Sequence, residues 1–128
     1  MMSRFFWICL GGAVGTGARY LVSGWALATL GTSFPYGTLA VNAVGSFLLG
    51  LLMQIGIATP LLSPTLRLTL TTGVMGGFTT YSTFNYETIR YVQDGFWQLA
   101  FANVAVTLVS CLAAGFAGLA AGRWLFGG

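Results

Sequence analysis

The sequence predicts an all-α integral membrane protein of four transmembrane helices, the third of them broken, with a charge distribution that permits an antiparallel dual-topology dimer. Three observations lead there. Of 128 residues, 56% are hydrophobic and only 5% charged, against roughly 25% charged in a soluble domain. Turn signals at Gly31-Thr-Ser-Phe-Pro-Tyr36, Thr59-Pro-Leu-Leu-Ser-Pro64 and Asp94-Gly95 divide the chain into hydrophobic stretches, each at or above the roughly 20 residues that cross a bilayer. The third stretch carries Gly73-Val-Met-Gly-Gly-Phe-Thr-Thr-Tyr-Ser-Thr-Phe84, an uncharged run of three glycines and four Ser/Thr residues. Glycine weakens a helix, and Ser/Thr side chains offer its backbone other partners.

The first span runs from about Phe5 to Leu30. Gly11 with Gly15, and Ala13 with Gly17, are small-residue pairs that let another helix approach closely. Arg19 lies well inside this span. Either it faces water or a partner within the membrane, or the span ends near Tyr20 and Arg19 snorkels to the interface. The second span runs from about Tyr36 to Ala58, with Thr38, Asn42 and Ser46 on one face at four-residue steps. The buried Asn42 amide must find partners; a helix–helix hydrogen bond and a polar lane both satisfy it.

The third segment, from about Pro64 to Gln93, is long enough for two half-helices around an irregular middle. Ser63 caps its start and Pro64 fits its first turn. Glu87 and Arg90, three residues apart, are placed to pair. The fourth span runs from about Phe96 to Leu125. Asn103, Thr107, Cys111 and Gly115 form a second polar-to-small lane; Ser110, Ala114, Gly118 and Gly122 form a packing seam beside it.

The ionisable residues exclude much. There is no histidine, and the acids are Glu87 and Asp94 alone, about 10 Å apart along a helix rising 1.5 Å per residue. Neither acid–base catalysis nor a transition-metal site has its residues, so the chain is not expected to be an enzyme. The basic residues Arg4, Arg19, Arg67, Arg90 and Arg123 are scattered singly, which rules out a nucleic-acid patch. Cys9 and Cys111 sit in apolar runs and read as packing residues, without a disulfide. The apolar start reads as the first span and not as a signal peptide, and the whole as one domain. Arg4, Arg67 and Arg123 fall on one side of the bilayer, Arg90 and, on one reading, Arg19 on the other. So weak a bias permits insertion both ways, and two oppositely inserted copies build an inverted repeat.

The two lanes offer hydrogen-bond donors and no fixed charge. Compact donors suit a small, strongly hydrated anion whose water must be replaced. The ring edges of Tyr81 and Phe84 are electropositive and suit an anion, whereas their faces would suit a cation. Carbonyls released by a broken helix suit a monovalent cation, and two copies of the break near a two-fold axis can enclose one.

Three runs also resemble a known family. Gly76-Gly-Phe-Thr-Thr-Tyr-Ser-Thr-Phe84 resembles the GGxTTFSTF signature of the Fluc (CrcB) fluoride channels. Gly37-Thr-Leu-Ala-Val-Asn42 resembles their GTLxVN motif, and Gly11–Tyr20 their glycine-rich first helix ending in Arg-Tyr. The resemblance implies a passive fluoride channel of the bacterial inner (plasma) membrane that exports fluoride. It implies an antiparallel homodimer in the lipid bilayer with two pores. It implies a structural Na⁺ held by the backbone carbonyls of Gly76 and Thr79 from both copies. Asn42, Tyr81, Phe84, Asn103, Thr107 and Cys111 would line the fluoride path, with Arg19 in a vestibule raising the local anion concentration. Two departures stand out: Tyr81 occupies a position where the family usually has Phe, and the span-4 lane reads Asn, Thr, Cys, Gly where Tyr, Ser, Ser, Thr is common.

Two other functions compete. A small dual-topology proton-coupled multidrug exporter would need an acid in the middle of the first span, where this chain has only Arg19. A non-transporting scaffold would use the glycines for packing alone.

Overall fold

The structure, a computed structural model describing residues 1–128, is helical throughout. The elements are α1 (Met2–Leu30), α2 (Tyr36–Ala58), α3 (Pro64–Leu68), a π-helical stretch (Thr69–Met75), α4 (Gly76–Phe78), α5 (Tyr81–Gln93) and α6 (Trp97–Phe126). Three of them, α1, α2 and α6, are long and apolar enough to cross a membrane. The expected boundaries hold within a few residues because turn chemistry sets them. α1 stops at Gly31, whose φ of 80° suits a residue without Cβ. Ser63 caps α3 by accepting from the Leu66 amide at 3.1 Å, with Pro64 in the first turn.

α2 packs chiefly against α6, and α1 against the π-helical stretch and α4. Both contacts are backbone on backbone. A Cβ on Gly15 would collide with the Val74 carbonyl oxygen, and one on Gly118 with the Phe47 carbonyl oxygen. Gly122, further along the expected seam, meets the Gln54 side chain. Such close approach suits helices in hydrocarbon, where association draws on packing and not on water exclusion. Phe5, Trp7, Trp25, Val109, Phe116 and Trp124 point outward, whereas Thr38, Gln54, Asn103 and Thr107 are buried. Apolar groups outside and polar groups inside mark a protein that meets lipid.

The third segment departs from expectation in its detail. The glycines do not break it: Gly73 is π-helical and Gly76 and Gly77 are α-helical. Helical geometry is lost only at Thr79 (φ −87°, ψ 160°) and Thr80 (φ −152°, ψ 107°). Tyr81–Phe84, expected within the irregular stretch, forms the first turn of α5 instead, capped by the Thr80 hydroxyl, which accepts from the Thr83 amide at 3.2 Å.

The two ends of the bundle carry different charges. Arg4 donates to Thr65 at 3.4 Å, and Arg67 packs beside Gly56. At the other end Arg90 lies 3.9 Å from Asp94, an exposed pair that contributes little to stability. Cys9 and Cys111 are free thiols, as expected, but Cys9 is exposed on α1 and does not pack inside.

Candidate functional site

Asn42 holds the break. Its Nδ2 donates to the Thr80 carbonyl at 3.1 Å, and the Thr80 amide donates to its Oδ1 at 2.8 Å. The side chain thus pairs with both backbone groups of one non-helical residue, as a neighbouring strand would. Because an amide N–H can donate only to oxygen here, the pairing fixes which way the Asn42 amide points. Its second N–H stays uncommitted, and Asn42 lines a cavity of about 420 Å³.

The break also redistributes backbone acceptors. In a continuous helix the Gly76 carbonyl would accept from the Thr80 amide, and the Thr79 carbonyl from the Thr83 amide. Both donors are diverted, Thr80 to Asn42 Oδ1 and Thr83 to Thr80 Oγ1. Gly76 and Thr79, the expected cation ligands, are therefore left with open carbonyls. Gly77 between them is not: Arg19 Nε donates to its carbonyl at 2.9 Å. α1 runs unbroken past Arg19 to Leu30, and Arg19 finds its partner on the third segment. An all-oxygen set of neutral carbonyls suits a monovalent hard cation and lacks the carboxylates that a divalent ion wants. No cluster of His, Cys, Asp or Glu offers another kind of metal site.

The cavity gathers residues of both lanes. Asn42, Ser46, Tyr81, Phe84, Thr107 and Cys111 line it, with Thr71, Met75, Gly76 and Thr79. Thr71 and Thr79 spend their hydroxyls on carbonyls one turn back, Arg67 at 2.7 Å and Met75 at 3.0 Å. The donors left to an occupant are the second Asn42 N–H, the Ser46 and Tyr81 hydroxyls and, more weakly, the Cys111 thiol. Thr107 leans toward Asn103 Oδ1 at 3.4 Å. The Tyr81 and Phe84 rings lie 5.8 Å apart at 50°. Phe84 is 8% exposed, whereas Tyr81 is 77% exposed and projects outward.

Asn103 lies outside this cavity. It is 1% exposed and donates to Thr88 Oγ1 at 2.9 Å, while Thr88 donates to the Phe84 carbonyl at 2.9 Å. The relay ties α6 to the turn of α5 that carries Phe84. Asn103 thus meets the site through that turn and not by lining the cavity. The signal for this was available: Thr88 is one turn beyond Phe84 on the same helix.

The expected Glu87–Arg90 pair does not form. Glu87 turns toward α2, where the Thr38 hydroxyl donates to its Oε2 at 3.0 Å, and Oε1 is buried without a partner. Arg90 points outward to the Tyr86 hydroxyl and Asp94. Glu87 lines a second cavity of about 430 Å³ with Tyr36, Thr38, Thr83 and Tyr91. Spacing along α5 suggested the wrong partner because the choice depended on how α5 is rotated against α2.

A family model described as "CrcB-like protein, Camphor Resistance (CrcB)" matches residues 6–119. Among curated proteins, the "Fluoride-specific ion channel FluC" of Sorangium cellulosum is 59% identical over 127 residues, covering 99% of this chain and 100% of the relative. The protein of the same name from Anaeromyxobacter dehalogenans is 52% identical over 126 residues, 98% of this chain and 100% of the relative. That from Geobacter sulfurreducens is 48% identical over 124 residues, 97% and 100% respectively.

Proposed function

The chain belongs to the CrcB-like family, a family of multi-pass membrane channels and not of enzymes, and from that membership we propose that it is a fluoride channel. It lets fluoride leave the cell passively and so lowers the cytoplasmic level. The observation that carries the reading is the Asn42–Thr80 pairing at the rim of the cavity. It leaves one oriented N–H, beside Ser46 and the ring of Phe84, in a space with no carboxylate. A small anion gains donors there and meets no fixed negative charge. Full-length relatives named as fluoride channels support it.

The channel works as an antiparallel homodimer. Gly76, with its open carbonyl, is exposed on the protomer, and so is Tyr81. An open carbonyl facing lipid is costly, so this face needs a cover. A second, inverted copy supplies one, and it brings a second break to the first. Na⁺ at that junction would be held by the Gly76 and Thr79 carbonyls of both copies and would lock the two breaks together. The third crossing of the bilayer is made by α3 through α5, with the break near mid-depth. Asn42 and Ser46 from one lane and Thr107 and Cys111 from the other then face the pore.

The test is reconstitution into liposomes. Rapid fluoride efflux with negligible chloride efflux is expected; equal rates for the two halides reject the reading. Tyr81 supplies a second measurement. Tyr81→Phe keeps the ring edge and removes one hydroxyl, so efflux should change by no more than about tenfold, the worth of one neutral hydrogen bond. A larger loss would make the hydroxyl itself a principal fluoride ligand.

A further inference from the structure

We propose that Arg19 is a positioning residue for the cation: by donating to Gly77 it decides which carbonyls of the break stay open. The proposal rests on the cation reading above. It assigns Arg19 work at the break, distinct from attracting anions in a vestibule.

Gly11, Gly15 and Arg19 follow at four-residue steps on α1 and share one face. The two glycines press that face onto the third segment. A Cβ on Gly11 would stand 2.7 Å from the Thr69 carbonyl oxygen, and one on Gly77 would stand 2.5 Å from that of Gly12. The guanidinium is therefore delivered at a set distance by a backbone contact that cannot slide. It meets the Gly77 carbonyl at 2.9 Å. That carbonyl has lost its helical donor, because the chain leaves the helix at Thr79 and Thr80. Arg19 thus caps the end of the first half-helix from another helix, where a cation also suits the dipole.

The consequence is selection. Of the carbonyls freed around the break, Gly77 is closed by Arg19, and Gly76, Phe78 and Thr79 are not. Without the cap, the Gly77 carbonyl would compete for the cation or recover its own amide donor by rewinding a turn, which would also remove the Gly76 and Thr79 ligands. The charge of Arg19 works against a nearby cation, so what favours binding is the fixed N–H and not the charge.

This separates two substitutions. Gln carries an amide nitrogen as many bonds from Cα as Arg Nε, without charge; Met carries neither donor nor charge. The measurement is the melting temperature of the purified full-length protein in detergent, titrated with Na⁺ against N-methylglucamine at constant ionic strength. Arg19→Gln should keep the half-saturating Na⁺ of the wild type or lower it. Arg19→Met should raise it about tenfold, the effect of one charge-assisted hydrogen bond lost at a ligand set. Arg19→Lys keeps the charge but places its nitrogen one bond further out, and should fall between the two. If Arg19→Met does not fold, the Gln and Lys variants decide alone. Gln and Met behaving alike, Met behaving like the wild type, or Lys outperforming Gln each overturn the proposal. A wild-type protein whose melting ignores Na⁺ overturns it together with the cation reading, while selective fluoride efflux in liposomes would leave the channel reading standing.

Discussion

Asn42→Ala is expected to lower fluoride efflux from liposomes by about a hundredfold or more. Three interactions disappear at once: the two hydrogen bonds to Thr80, at 3.1 and 2.8 Å, and the spare N–H at the cavity. Each is worth roughly 0.5–1.5 kcal/mol net, and more where a buried partner is left unpaired. About 2.7 kcal/mol on the barrier suffices for the hundredfold loss. The Thr80 amide, released from Oδ1, is also free to bond back to the Gly76 carbonyl, which would rewind the break. The variant should therefore lose Na⁺-dependent stabilisation as well as efflux. Wild-type efflux from Asn42→Ala, in a protein that melts normally, would refute the role of Asn42 at the site and leave the channel reading without the observation that carries it.

The second large effect is on folding. Gly15→Ala should destabilise the protein by about 3 kcal/mol or more, at the top of the usual range for an overpacked contact, because the new methyl meets backbone. The Val74 carbonyl oxygen and, at 2.9 Å, the Phe78 amide nitrogen stand where it would go. Neither can turn aside as a flexible side chain would. Gly17 is the matched control: it lies on the same helix, and a Cβ there meets nothing within 4 Å. Gly17→Ala should be neutral or gain up to about 1 kcal/mol from helix propensity. Thermal melting of the two variants beside the wild type tests the pair. Equal melting temperatures would mean that α1 does not seat on the third segment through Gly15.

Much of the helical frame could be read in advance. Charge content, the length of the apolar runs and the punctuation at Gly31, Ser63-Pro64 and Asp94-Gly95 are local properties, and each boundary they mark is made by neighbouring residues. The lanes were legible for the same reason, since Asn42 with Ser46 and Thr107 with Cys111 share faces by spacing alone. The location of the break was only half legible. Glycine content pointed to Gly73–Gly77, yet these residues stay helical, with α1 packed against Gly73 and Gly77 where a Cβ would stand. The chain opens two residues later, where Asn42 offers Thr80 a substitute for helical bonding.

From its residues alone, then, this protein was bound to be a membrane-embedded helical chain with an uncharged donor lane and one weakened segment. Composition and periodicity act within a single helix and need no partner to be read. Which carbonyls stay open, which acid faces which hydroxyl, and whether Asn103 lines a cavity or braces a turn were decided only when helices met. Each of those outcomes is a competition between donors far apart in sequence, Arg19 and Asn42 against the helix's own amides. Only the distances set by packing settle such a competition.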